Sequence, residues 1–338
     1  MSYQIPPAPA SGLRLHLNEN TGGCSPAVID ALRALGTTDV SRYPDVAPAR
    51  ARAAEWLGVP PEMVLLTNGL DEGLHLVAQA ARLRAPDGRV LIPEPAFEMY
   101  AAAASAAGLG IDQVMPTEDL GFDLDAVLAA IGPATSLIHL TDPNNPTGVG
   151  LPAGALDAVA AAAPGALVLM DEAYADFSGR TTAGTALESR PHVIVGRTFS
   201  KGHGLAGLRV GALVAHPETI ASLRRLQPAF SVNVCALAAL QAALGDPAHL
   251  QGYLADVARS RRLVAGACEA RGWRTWPSET NFVFVRIGDA LPQVVAALAR
   301  QGIFIRDKSA APGCAGCARI TIGTADQTLR LLAALEAA

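Results

Sequence analysis

No basic run longer than a pair occurs in this chain, Arg224-Arg225 and Arg261-Arg262 being typical, and the formal net charge is -5. That excludes the electrostatic footprint of a nucleic-acid partner and leaves the scattered arginines to be read one at a time. Cysteine is also scarce. Five residues, odd in number and widely spaced, exclude a disulfide framework and fit reduced thiols in a cytoplasmic protein. Cys314 and Cys317 form a C-x-x-C pair, but a zinc site needs a second ligand pair and none is near; no metal is expected, and the pair reads as a glycine-rich turn. The apolar stretch from Ala158 to Met170 is broken by Pro164-Gly165 and dominated by alanine, which excludes a membrane span. The opening MSYQIPPAPA has no basic segment followed by an apolar core, so it is not a secretory signal. A cytoplasmic chain with a flexible, proline-rich start is expected, and no internal repeat is found.

What the chain has is length. Its 338 residues exceed the usual size of one hydrophobic core, so a large domain and a smaller one are expected. Between about residues 60 and 215 short apolar runs recur, each ending in a polar, Gly- or Pro-rich cluster: MVLLTNG, RVLIPEP, SLIHLTDPNNPTG, ALVLMDEAY, HVIVGRTFSKG and RVGALVA. Continuous rather than alternating apolar runs predict strands buried on both faces, hence a three-layer α/β/α domain around a mainly parallel sheet. Ligands then bind at the strands' carboxyl ends, where the polar residues collect. Further on, NFVFVRI and ARITIGT alternate, while PQVVAALARQ and QTLRLLAALEAA carry helical spacing; this predicts a smaller α+β domain with strands buried on one face. The expected division is residues 41–245 for the large domain and 246–338 for the smaller, with 1–40 an arm and part of the smaller domain.

Asp171 closes one strand and Lys201 follows the next, which brings a carboxylate and an amine to one sheet edge. Pyridoxal 5'-phosphate (PLP) uses such a pair: the amine condenses with its aldehyde, and the carboxylate keeps the pyridine nitrogen protonated. Alone, such an Asp and Lys pair at strand ends is more often a solvated pair or a salt bridge. Its surroundings favour the cofactor. Asn145 and Tyr174 can hydrogen-bond the phenolic oxygen, and Phe97 offers a flat face to the ring, although a turn or core packing would also use these residue types. Gly69, Leu70 and Asp71 open a helix directly after a strand, with Asp71 as its N-cap, so backbone N–H groups and the helix dipole can hold a phosphate. Thr198 and Ser200 add hydroxyls, and Arg209 a fixed charge. Gly202 to Gly207 match G-x-G-x-x-G, the basis of an alternative reading as an NAD-dependent dehydrogenase. Lys201 precedes the pattern, however, and Glu218 comes too early for a ribose-binding acid.

In order along the chain stand LNEN, RYPD, TNGLDEG, PEPAFEMY, DPNNPTG, DEAYADF, TFSKGHGLAGLRVG, SVNVCALAAL, GIFIRD and ARITIGT. With this series the chain resembles the fold-type I PLP enzymes, with their aspartate aminotransferase-like fold, and among them the aminotransferases similar to histidinol-phosphate aminotransferase. The resemblance runs from Leu17 to Thr324. It implies Lys201 as the Schiff-base lysine and proton shuttle, Asp171 on the pyridine nitrogen, Asn145 and Tyr174 on the phenolic oxygen, and Phe97 in the stacking position. It puts Leu70, Asp71, Ser200 and Arg209 at the cofactor phosphate. Tyr43 would reach into a neighbouring subunit's site, so a homodimer with shared active sites is implied. Asn18 and Arg319 would meet the substrate, Arg319 taking its carboxylate or phosphate, with Arg306 a second anion-binding arginine.

The sequence also departs from the family. After LNEN a proline and an aromatic are usual, but Thr21-Gly22-Gly23-Cys24 stands here, and His203 replaces an aromatic beside the lysine. These differences bear on substrate choice. The expected activity is ping-pong transamination between a small-molecule amino donor, histidinol phosphate first, and a 2-oxo acid, 2-oxoglutarate. Alternatives are an aminotransferase for aromatic or other amino acids, and a threonine-phosphate decarboxylase. A PLP-binding transcription regulator would need a DNA-binding module that the first forty residues are too short to form.

Overall fold

Every continuous apolar run between residues 60 and 215 forms a strand in the computed structural model, which describes residues 11–337 apart from the side chains of residues 185 and 186. The proline-rich opening, residues 1–10, lies outside the described residues. In chain order the strands are β1 (Leu13–Leu15), β2 (Val64–Thr67), β3 (Arg89–Pro93), β4 (Gly110–Val114), β5 (Thr135–Thr141), β6 (Leu167–Asp171), β7 (Val193–Thr198), β8 (Gly211–Ala215), β9 (Arg274–Thr275), β10 (Phe282–Arg286), β11 (Ile303–Asp307) and β12 (Cys317–Thr321). β2 to β8 build a seven-stranded sheet in the order β2-β8-β7-β6-β5-β3-β4. Its pairings are parallel except those of β8, which runs against both β2 and β7.

Alternation along these strands explains the three layers. In β6, Leu167 and Leu169 join one apolar cluster with the helices Gly69–Arg84 and Met99–Ala106. Val168 and Met170 join another with Ala155–Ala162 and Val234–Leu244. Both faces are therefore covered, and a strand in this position has no polar face to show. Each buried leucine contributes roughly 1.5–3 kcal/mol relative to exposure. β4 was not evident as a strand: GIDQV is half exposed along most of its length, as a polar edge strand should be.

The remaining strands form a five-stranded sheet, β1-β11-β12-β10-β9. β1 lies parallel to β11, so the chain before residue 16 contributes an edge strand to a sheet otherwise made after residue 270. One expectation is corrected here. β10 and β12 are buried on both faces, not one, with Phe282 to Val285 and all of β12 buried. Val283, Val285 and Ile320 pack with the helices Pro247–Glu269, Leu291–Arg300 and Ala325–Glu336. On the other face Phe282 meets the Tyr174 ring edge-on at 5.3 Å. Phe284 joins Leu120, Trp276, Cys314 and Cys317 in a further apolar cluster. Alternation in sequence marks a change of chemistry between faces, and here the second face lies against protein.

Candidate active site

Parallel pairing sets the ends of β5, β6 and β7 side by side: Thr141 is the register partner of Asp171, and Asp171 of Gly196. A cavity of about 600 Å³ opens there, between the seven-stranded sheet and the β1-β11-β12 edge of the other. Leu70, Asp71, Phe97, Asn145, Asp171, Tyr174, Thr198, Ser200, Lys201 and Arg209 line it, together with Asn18, Arg306 and Arg319. The sequence-predicted residues thus converge on one site, with two qualifications. Gly69 stands just behind this lining. Tyr43 is 78% exposed and stacks on Phe230 at 4.2 Å, away from its own chain's cavity.

The base of the cavity is a buried carboxylate. Asp171 accepts from the Tyr100 hydroxyl at 2.7 Å and from the Ala173 N–H at 2.9 Å. Burial pushes its carboxyl up to about 6, against the opposing pull of those two hydrogen bonds. The Tyr100 hydroxyl also lies 2.8 Å from Thr141 Oγ1, and its ring stacks on the fully buried His139 at 4.4 Å. Burial lowers the His139 imidazole to about 3, so the ring is neutral. Tyr100 stood unassigned within PEPAFEMY, because nothing in a sequence tells a core tyrosine from one hydrogen-bonded to an acid.

Lys201 follows β7. Its Nζ donates to the Leu17 carbonyl at 3.2 Å, and burial first, then the Arg319 charge, hold it down at about 8. Neither Asp171 nor Lys201 makes an ion pair among the described residues. Tyr174 is buried, and its hydroxyl accepts from Asn18 Nδ2 at 2.7 Å. Asn18 is in the left-handed region, φ 55°, and is tied to β12 by its N–H to Thr321 Oγ1 at 3.0 Å.

At the other end of the cavity the helix Gly69–Arg84 begins directly after β2. The expectation that Asp71 caps it is corrected: Asn68 is the N-cap, and Asp71 lies in the first turn. The Asp71 carboxylate instead faces Arg209 Nη2 at 2.9 Å, because a first-turn side chain leans outward where the loop after Lys201 returns. Gly69 has φ +71°, the left-handed region that favours glycine, and a Cβ there would stand 2.5 Å from Arg209 Nη2 and displace that guanidinium. Thr198 Oγ1 accepts from the Ser200 N–H at 3.2 Å. The glycines of residues 202–207 open no α-helix, only the short 3-10 turn Ala206–Leu208. His203 is buried between Trp56 and Phe199.

The β1-β11-β12 edge supplies the cations. Arg319 donates from Nη1 to Asn145 Oδ1 at 2.5 Å and from Nη2 to the His16 carbonyl at 3.0 Å. Arg306 is its register partner on β11. His16, Glu98 and Lys308 are among the lining residues that the sequence did not single out.

A carboxylate and a lysine share this cavity, neither in an ion pair among the described residues. The arrangement suits a ligand that brings both a cationic N–H and an electrophilic carbonyl, with an anionic group to meet the helix start and Arg209. PLP has all three features, and the donor set fits it. Fold and site together define a PLP-dependent enzyme of fold type I. The chain belongs to the aminotransferase class I and II family, whose pattern matches residues 10–335. It is 38% identical over 335 residues to histidinol-phosphate aminotransferase 2 of Ralstonia nicotianae, covering 96% of this chain and 88% of that protein. Among solved structures it resembles histidinol-phosphate aminotransferase from Sinorhizobium meliloti in complex with pyridoxal-5'-phosphate, with TM-score 0.85, 30% identity, and coverage of 96% and 89%. Aspartate aminotransferase of Thermus thermophilus, in a mutant form, shares the fold at TM-score 0.80 and 23% identity, with coverage of 96% and 94%.

Proposed function

We propose that this aminotransferase moves the amino group of histidinol phosphate to 2-oxoglutarate by a ping-pong route, in the cytoplasm, as a homodimer whose subunits exchange Tyr43 between sites. The observation that carries the substrate class is Arg319, buried on β12 and aimed into the cofactor cavity with Arg306 as its register partner. Such a pair suits a donor that ends in an acidic group.

When bound, PLP supplies a sink for the electron pair left on the donor carbon that bears the amine. Asp171 holds the pyridine N–H, with Tyr100 fixing the carboxylate's orientation. Asn145 and Tyr174 hold the phenolic oxygen; with Asn18 donating to it, the Tyr174 hydroxyl acts as the donor there. Phe97 covers the ring. The Leu70 and Asp71 N–H groups, the Thr198 and Ser200 hydroxyls and Arg209 hold the phosphate, with Gly69 making the turn that lets the backbone approach. Lys201 takes the proton from the donor carbon. Burial in the cofactor-free site holds its amine down at about 8, which favours the neutral form that a base needs.

The test is the absorbance spectrum of the purified enzyme before and after histidinol phosphate, phenylalanine, glutamate or phosphothreonine. Loss of the cofactor's visible band with histidinol phosphate, and its return with 2-oxoglutarate, supports the reading. Carbon dioxide release from phosphothreonine, or a response to phenylalanine alone, replaces it.

A further inference from the structure

Three neighbouring strands place a set of cationic and polar side chains in one wall of the cavity. His16 follows β1, Arg306 lies on β11, Lys308 comes directly after it, and Arg319 lies on β12. All four line the cavity. His16 is 4% exposed, and neither ring nitrogen has a hydrogen-bond partner. Lys308 is 5% exposed, and its ammonium is paired with the carboxylate of Glu98. An ammonium has three N–H donors, so two are without an acceptor among the described residues. Arg306 has no hydrogen bond or ion pair among them.

Charge tells the same story. Glu19 is matched by Arg14 at 2.6 Å and Lys308 by Glu98, while among the described residues no carboxylate pairs with Arg306, so this wall carries an excess of positive charge beside the Arg319 guanidinium. Buried charge without a counterion is costly, as is a buried donor without an acceptor. A phosphate monoester removes both costs together, bringing nearly two negative charges and three acceptor oxygens. A single carboxylate brings half of that charge and two oxygens.

We propose that Lys308 and His16 join Arg306 and Arg319 in a phosphate-monoester subsite, and that Lys308 sets the preference for a phosphate-ended amino donor over one ending in a single carboxylate. The role of Glu98 is to hold the ammonium at the wall until substrate oxygens replace it. The proposal rests on the reading that the donor carries a phosphate.

The experiment uses the PLP-loaded enzyme, in which the cofactor's own phosphate site is filled, titrated with inorganic phosphate by calorimetry, alongside steady-state kinetics with histidinol phosphate and phenylalanine. Lys308→Met should weaken phosphate binding roughly ten- to hundredfold. It should raise KM for histidinol phosphate far more than it lowers kcat, and reduce the preference for that donor over phenylalanine at least about tenfold. Lys308→Arg should restore most of the loss. Glu98→Gln should leave phosphate binding equal or tighter, because it removes the competing negative charge; an ion pair that only holds the wall would make both single variants fall together. No saturable phosphate binding by the unmodified enzyme, equal affinity in Lys308→Met, or equal loss for both donors overturns the proposal. If no phosphate-ended donor is turned over, the functional reading fails instead, and the phosphate titration still reports on Lys308.

Discussion

Replacing Asp171 with asparagine should stabilise the cofactor-free protein at pH 8 relative to pH 4, although the same change should cripple the enzyme. Burial raises the Asp171 carboxyl from 3.8 to about 6. At 1.36 kcal/mol per pH unit, the folded state loses about 3 kcal/mol once that carboxyl is ionised. Because the folded value lies above the unfolded one, the folded state binds the extra proton. Its contribution therefore falls as pH rises from about 4 to about 6, and is flat above. The amide of Asp171→Asn cannot ionise, so this dependence disappears. That amide keeps one oxygen to accept from Tyr100 or Ala173, while its NH₂ group lacks an acceptor, an offset of roughly 1–3 kcal/mol that does not vary with pH. The quantity to compare is thus the difference between variant and unmodified protein, from urea unfolding at matched protein concentration at pH 4 and pH 8. It should move by about 2.5 kcal/mol in favour of the variant, because at pH 4 the unfolded carboxyl is already about half ionised. Added PLP should invert the order, since its ring N–H gives the carboxylate the cation it lacks. A difference that is the same at both pH values, or that moves the other way, would falsify the account of Asp171 as a buried charge awaiting a partner.

Other outcomes follow from the same geometry. Lys201→Ala should bind PLP without the visible absorbance of the lysine-bound form and show no turnover; measurable transamination would remove Lys201 from its role. The rate at which cofactor-free enzyme captures PLP should rise about tenfold per pH unit up to about pH 8 and then level off, because burial holds the Lys201 amine at about 8; stopped-flow traces that keep rising to pH 10 would contradict this. Tyr100→Phe strips a donor from Asp171 and a partner from Thr141, and should lower stability by roughly 1–3 kcal/mol at pH 8 and less at pH 4; a pH-independent effect would make Tyr100 merely a core ring. Arg319→Lys keeps the charge but loses the fork that reaches both Asn145 and the His16 carbonyl, so KM should rise for every acidic donor, read directly in steady-state kinetics.

Much of this architecture was legible before any coordinates. A strand such as Leu167–Asp171 is covered on both faces, so its apolar run is unbroken, and the polar residue that ends it must lie at the sheet's edge. That logic placed Asp171, Thr198 and Lys201 at one site. It failed where exposure or context changed the rule. β4 is an edge strand with polar residues, and so resembled a loop. β10 and β12 alternate in chemistry yet are buried on both sides, because their second face meets Tyr174 and Trp276. Asp71 looked like a cap, but Asn68 begins the helix.

The sequence by itself determined the buried strands of the larger sheet and the set of residue types that PLP chemistry needs, since these depend on neighbours a few positions away. Only the tertiary structure decided that Tyr100 donates to Asp171, that Asn18 holds Tyr174, and that His16, Arg306 and Lys308 face one cavity. Those groups come from segments far apart in the chain. Their meaning lies in burial and in unanswered hydrogen bonds, and both exist only once the chain has folded around them.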